Sequence, residues 1–360
     1  MTTAGTAPRW RGLTPLVTSP WGLGGAQLGN LYRATDDDTA RAGLEAAWAA
    51  GVRYFDTAPH YGLGLSERRL GAFLAQHPRS EVVVSTKVGR LLVPDPAGAA
   101  RRDDEGFDVP ADHRRVRDYS AAGVRASLEQ SLERLGLDRV DVVYLHDPED
   151  HWEQARDEGL PALLELRDAG LVGAVGAGMN LAEPLTTLVT DHDVDLVMCA
   201  GRHTLLEQSW DLLDAAADRG VGVVLAGVWN SGLLARPRPA PDATYDYLPA
   251  PAALLARVHT LADVCEAHGT TLPEAAIAFA AAHPAVASVV LGAGGPDQVR
   301  EAARRATAPV PAALWDALVA AGLLDRTPDS TNHPTTHPLP HLMHRPTHAP
   351  ATAGTPEEQP

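Results

Sequence analysis

From residue 37 onward the apolar positions alternate between helical spacing and short unbroken runs. Helical spacing marks residues 40–50 (ended by Gly51), 66–76 with Ser66 as cap, 120–135 between Ser120 and Gly136, and 160–169 before Gly170. It returns at 183–191, at 205–219 before Gly220, and at 252–268, 273–282 and 296–305. Between these helices lie runs rich in Val and Leu at 53–57, 82–87, 140–146, 171–176, 194–199, 221–226 and 288–292, and residues 20–24 open the series. The runs are continuously apolar instead of alternating, as in parallel strands covered on both faces.

Eight such runs separated by helices predict an α/β fold, a single (β/α)8 TIM barrel over residues 1–325 with an N-terminal extension. A doubly wound open sheet is the alternative, but its phosphate-binding fingerprint is missing. Gly62-Leu63-Gly64 is incomplete, and Gly292, Gly294 and Gly295 fall in the last unit instead of the first. Two segments, 90–119 and 236–251, carry charges, Pro and Gly without period. Each follows the C-terminal end of a strand, so each is expected to overhang the barrel mouth. Residues 326–360 turn to Pro, Thr and His and read as a disordered tail. Prolines between His333, His337, His341, His344 and His348 deny them a shared helical face, so no metal site is expected there.

Composition narrows the class of partner. Hydrophobic residues make up 45% of the 360-residue chain, enough for a large core. No apolar run approaches the roughly 18–20 residues of a membrane span, and the N-terminus lacks the apolar stretch of a signal peptide. A cytoplasmic protein, monomeric or weakly homo-oligomeric, is expected. The formal net charge of −16 disfavours nucleic acid and anionic membranes. Cys199 and Cys265 are the only cysteines, both among apolar neighbours, and suggest neither a disulfide nor a metal site.

The chemistry concentrates at three consecutive strand ends. Asp56 closes one run, Lys87 the next (VVVSTK) and His146 the third (VVYLH), and Tyr61 follows Asp56 across a turn. Charged residues are rarely buried unless paired, so complementary groups at adjacent strand ends point to chemistry. Lys87 close to the Tyr61 hydroxyl would favour the phenolate. At about 4 Å and an effective dielectric of 20 the attraction is roughly 4 kcal/mol before desolvation, up to about three pKa units. Asp56 would hold Lys87 charged and aimed, and His146 would orient a substrate oxygen beside Tyr61.

These residues resemble the aldo-keto reductase superfamily. FDTAPHYGLGLSERRLG is similar to its signature around a catalytic Asp and Tyr, and STK and YLH to the segments carrying its Lys and His. The resemblance covers about residues 13–306 and implies Asp56, Tyr61, Lys87 and His146 as the catalytic set of a nicotinamide-dependent barrel. It also implies cofactor contacts at Gly24, Gly25, Asn180, Gly227, Asn230, Ser231, Gly232, Leu233, Gly292, Gly294 and Gln298. DTAPHYGLGLSE, AGRHTLLEQ and WNSGLL look like the branch of L-fucose and D-threo-aldose dehydrogenases, to which pyridoxal and L-galactose dehydrogenases are similar. That branch implies oxidation of a cyclic hemiacetal to a lactone, with Tyr61 as general base and a small aldose or aldehyde as substrate. Trp21 reads either as a stacking surface for a sugar or as a core aromatic, and Trp229 as a stacking or substrate-lining residue.

The departures from the family pattern bear on the cofactor. Gly178-Met179 stands where most members have a Ser-Asn pair, with Asn180 one step along, and Gly227 stands where an aromatic usually stacks on the nicotinamide. After the last strand, members that use NADPH carry a Lys or Arg for the 2′-phosphate; here Gly294 and Gly295 span that stretch. Loss of that charge-assisted bond, about 1.5–3 kcal/mol, favours NAD. NADP stays possible if Arg300 or Arg304 compensates. The competing functions are pyridoxal 4-dehydrogenase, an NADPH-dependent aldehyde or ketone reductase, and a non-catalytic barrel subunit, which retention of all four residues opposes.

Overall fold

The computed structural model describes residues 9–328 apart from Pro20 and Tyr247; most of the expected tail, with its five histidines, lies outside the described residues. Eight parallel strands close into a barrel: β1 (Gly22–Gly24), β2 (Tyr54–Asp56), β3 (Val83–Val88), β6 (Val140–His146), β7 (Val172–Met179), β8 (Leu196–Ala200), β9 (Gly222–Ala226) and β12 (Val286–Gly292). The gaps in that numbering are two antiparallel ribbons, β4 (Arg90–Pro94) with β5 (His113–Arg117) and β10 (Thr244–Tyr245) with β11 (Leu248–Pro249). Both ribbons lie within the segments that show no period in the sequence. The (β/α)8 fold expected from the alternation is the fold observed.

Alternation along each strand sorts side chains into two cores. Tyr54, Val83, Val142, Tyr144, Leu196, Met198, Val224 and Val290 fill the barrel, which Trp10 and Leu16 close at the bottom. The short helix α1 (Thr14–Thr18) carries Leu16, and the Trp10 indole donates to Gly220 O at 3.0 Å. The outward residues of the strands pack beneath a ring of helices in a second, larger core. That ring holds α2 (Asp37–Ala49), α3 (Leu65–Leu74), α4 (Ala121–Leu135), α5 (Trp152–Gln154), α6 (Leu160–Asp168) and α7 (Ala182–Asp191). It continues with α8 (Trp210–Arg219), α9 (Ala252–Ala267), α10 (Leu272–Ala281), α11 (Pro296–Ala306) and α12 (Ala313–Ala320). No helix among the described residues is long and apolar enough to cross a membrane.

Two local expectations change. Ser66 does not cap α3: the helix begins at Leu65 behind Gly64, whose φ of 79° is readily adopted only by glycine. The Ser66 hydroxyl instead donates to Gly25 O at 2.7 Å and shares a bond with Thr57 at 2.8 Å, tying α3 to the ends of β1 and β2. The helix expected from residue 205 starts at Trp210, because Thr204 Oγ1 accepts from the amides of Leu206 and Glu207 in a side-chain turn.

Candidate active site

The register of the barrel brings the four expected residues to one mouth. Asp56 pairs with Ser85 across β2–β3, Lys87 with Tyr144 across β3–β6, and His146 with Gly178 across β6–β7. Asp56 and Lys87 share the inward parity of Tyr54 and Ser85, so both side chains stand over the inner core. Lys87, 2% exposed, donates to Asp56 Oδ2 at 2.6 Å, to Thr57 O at 3.0 Å and to Tyr61 OH at 3.0 Å. The second Asp56 oxygen accepts from Ser85 Oγ at 2.6 Å, and Ser85 in turn meets the Tyr54 hydroxyl at 3.0 Å. All three Lys87 protons have acceptors, and the ammonium pKa is pushed upward: Asp56 and Tyr61 together outweigh its burial. The lysine is therefore a fixed positive charge 3.0 Å from the phenol.

Tyr61 behaves differently from the expectation. Burial raises its pKa above the ordinary phenol value, and the opposing pull of Lys87 only limits the rise. The attraction to Lys87 is real, but the cost of desolvating the phenolate exceeds it. His146 stands edge-on to the Tyr61 ring at 5.8 Å and is buried. Burial, then the positive charges of Arg90 and Lys87, hold it well below the usual histidine pKa, so it is a neutral imidazole. Its Nδ1 is buried without a hydrogen-bond partner.

Several groups around the site lie outside the sequence reading. Arg90 donates to Asp147 Oδ2 at 2.6 Å, and that carboxylate lies 3.5 Å from His146 Nε2. Tyr119 donates to the carbonyls of His146 and Asp147, the latter at 3.0 Å, and so fixes the backbone that carries the imidazole. The segment between β4 and β5 folds over the mouth. Phe107 leans on Tyr61 at 6.1 Å and on His60 at 5.1 Å, while Arg115 grips Asp103 at 2.6 Å and His60 O at 2.9 Å. The positions of Arg90 and Asp147, directly after two strand ends, were the available signal; nothing local announces Phe107 or Arg115.

The remaining expected residues divide. Gly24 is the register partner of both Asp56 and Gly292, so it stands at the mouth beside them. Gly25 is explained by packing, since a Cβ there would lie 2.6 Å from Ser66 Oγ and 2.7 Å from Asp56 O. Asn180 is exposed beyond β7, its carbonyl held by Arg202 at 2.8 Å. Gly227, Asn230, Ser231 and Gly232 form a turn of positive φ beyond β9, and Asn230 donates to Gly201 O at 3.1 Å. Gln298 accepts from Gly294 N at 2.7 Å. Two residues face elsewhere. Leu233 is buried in the outer core. Trp21 is 1% exposed in the same core, which decides for the core aromatic over the sugar platform. Trp229, half-buried, donates to Pro273 O at 3.3 Å and lies under Arg305, which ties its loop to α10 and α11. Among the described residues no cluster of His, Cys, Asp and Glu could hold a metal.

Comparison with known proteins agrees with this geometry. The D-threo-aldose 1-dehydrogenase of a Pseudomonas species is 49% identical over 308 residues, covering 84% of this chain and 94% of its own. The pyridoxal 4-dehydrogenase of Microbacterium luteolum is 38% identical over 332 residues, covering 87% and 96%. The holo form of an aldo-keto reductase from Bacillus halodurans superposes with a TM-score of 0.67 at 24% identity, covering 88% of this chain and 95% of that one. The aldo/keto reductase family profile matches residues 20–321. A closed barrel with Asp, Tyr, Lys and His gathered at its mouth, and a sequence match spanning nearly all of it, mean that this chain is an oxidoreductase of the aldo/keto reductase family.

Proposed function

We propose that the protein oxidises the anomeric carbon of an aldose to the lactone, with Tyr61 as the proton acceptor. The observation that carries the reading is Lys87 joined to both Asp56 and Tyr61 beside a neutral His146, in a chain 49% identical to an aldose 1-dehydrogenase. The anomeric O–H gives its proton to the Tyr61 phenolate oxygen while C1 loses its hydride and the C1–O bond becomes a carbonyl. A bound nicotinamide cofactor supplies the acceptor for the C1 hydride. Lys87 stabilises the phenolate that must precede proton abstraction, and Asp56 keeps Lys87 aimed. His146, uncharged, can accept from or donate to the sugar oxygen without adding a second positive charge. Phe107 packs against one side of the Tyr61 ring.

The residues present fit such a cofactor. Gln27 Oε1 and Asn230 Oδ1 are buried acceptors without partners, and Gly24 and Gly292 keep backbone alone in register beside Asp56. Two other readings have a specific observation behind them. The aromatic corner of Phe107 and His60, rings edge to face at 5.1 Å, together with the 38% identical relative, suits pyridoxal. The raised Tyr61 pKa keeps the phenol protonated at neutral pH, which suits the acid of an aldehyde reduction. Cofactor reduction over L-fucose, D-arabinose, L-galactose, L-xylose and pyridoxal, with chromatographic detection of the lactone, separates the three. Turnover of at least one sugar to its lactone is expected. Pyridoxal turnover alone, or activity only in the reducing direction, would displace the proposal.

A further inference from the structure

The expectation of NAD preference rests on the missing cation at Gly294, and the fold supplies a cation there from another loop. The stretch joining β1 to α2 runs beside the turn that follows β12. The Gln27 amide lies where a Cβ on Gly292 would stand, 2.8 Å from its Oε1 and 2.9 Å from its Nε2. Farther along, a Cβ built on Gly294 would lie 3.7 Å from Arg33 Nη2. The guanidinium thus stands next to the space that a side chain at position 294 would enter.

We propose that Arg33 recognises the ribose 2′-phosphate of NADP(H), so that the protein binds NADP(H) as well as NAD(H) despite Gly294. Three observations converge. First, the backbone on either side of Arg33 is pinned: Tyr32 N donates to Gly106 O at 2.8 Å and Ala34 N to Asp108 Oδ2 at 2.9 Å. Second, Arg33 is exposed and makes no ion pair with a described residue, although acids crowd the same loop. Asp36 caps α2 through Thr39 N, Asp37 holds Arg69 at 2.8 Å, Asp38 holds Arg41 at 3.1 Å, and Asp108 takes Arg102. Third, the cations on α11 are committed elsewhere. Arg300 pairs with Asp297 at 2.6 Å, and Arg304 with Glu301 at 2.9 Å and Glu274 at 2.8 Å. A planar guanidinium free of carboxylates is suited to a phosphate dianion, which it meets through two parallel N–H bonds.

The inference rests on the nicotinamide-cofactor reading of the mouth and is independent of the substrate. Dissociation constants of NADPH and NADH, from quenching of tryptophan fluorescence, are compared for the full chain and for Arg33→Ala and Arg33→Lys. Calorimetry with adenosine 2′,5′-bisphosphate and with 5′-AMP isolates the phosphate without the nicotinamide. Arg33→Ala is expected to weaken NADPH and the bisphosphate about tenfold or more, and NADH and 5′-AMP less than about twofold. Arg33→Lys, which keeps the charge and loses the fork, falls between. Equal losses for both dinucleotides, or no loss for NADPH, would overturn the role of Arg33. If the wild-type protein bound neither dinucleotide, the cofactor reading itself would fail with it.

Discussion

At the scale of the residue, the decisive competition is between burial and charge at Tyr61. Lys87 lies 3.0 Å from the hydroxyl, yet the desolvation that comes with partial burial holds the phenol pKa above its ordinary value. The sign follows directly. A raised pKa means less phenolate at any pH, so a base-catalysed oxidation should gain rate with each step of alkalinity up to about pH 10. We expect the oxidation rate to rise steadily through that range and Tyr61→Phe to lose about 10²–10⁴-fold in kcat, with no alkaline limb left. An ultraviolet difference titration of wild-type against Tyr61→Phe protein should show the missing phenolate only above about pH 10. A rate plateau that begins near neutrality would mean that Lys87 outweighs burial after all.

At the scale of the element, legibility in the sequence follows the range of the forces involved. Asp56, Lys87 and His146 can be found because a polar residue ending a buried strand violates a local rule, and strand parity then fixes where its side chain points. Helix ends marked by Ser120 and Gly136 are equally local, and the structure has both caps: Ser120 accepts from Gly123 N and Gly136 adopts φ 63°. Ser66 misleads because a serine at a helix start looks like a cap whether its hydroxyl turns to its own helix or to another strand. The β4–β5 ribbon escapes the pattern because RLLVP buries only Arg90 and Leu92, and HRRVR is largely charged, so neither strand carries a long apolar period. Arg115 and Asp103 are the hinge of that argument, with side chains 5% and 3% exposed. Arg115→Ala would leave Asp103 buried without a partner, a penalty of about 3–5 kcal/mol borne mostly by this segment. We expect about a tenfold rise in KM with a much smaller change in kcat, and faster proteolysis between β4 and β5. Unchanged protease sensitivity would show that the ribbon is held by Phe107 alone.

At the scale of the whole molecule, the fold keeps three largely buried histidines neutral, and this links its stability to acid. Burial holds His146 well below its usual range, His60 near a pKa of about 2 and His203 near about 3. In the unfolded chain each returns to about 6.5. As pH falls below about 6.5 the unfolded state takes up protons that the folded state refuses, so folding stability rises with pH through this window and is lost toward acid. Each histidine accounts for about 2 kcal/mol between pH 6.5 and 5, above the range where ordinary carboxylates titrate. His203 offers the cleanest measurement because it lies apart from the tetrad, stacked on Phe279 at 4.9 Å and edge-on to Trp210 at 4.7 Å. Its Nδ1 accepts from Ser209 N at 3.2 Å, and its Nε2 is buried without a partner. Replacing it with Phe keeps the stack and removes the proton site, at a pH-independent loss of about 1 kcal/mol for the Ser209 bond. Urea unfolding at a series of pH values should then give a His203→Phe curve that starts below wild type at pH 7 and falls less steeply, meeting or crossing it near about pH 5–6. Two parallel curves would show that His203 is protonated in the folded protein, and that the interior tolerates a charge its burial argues against.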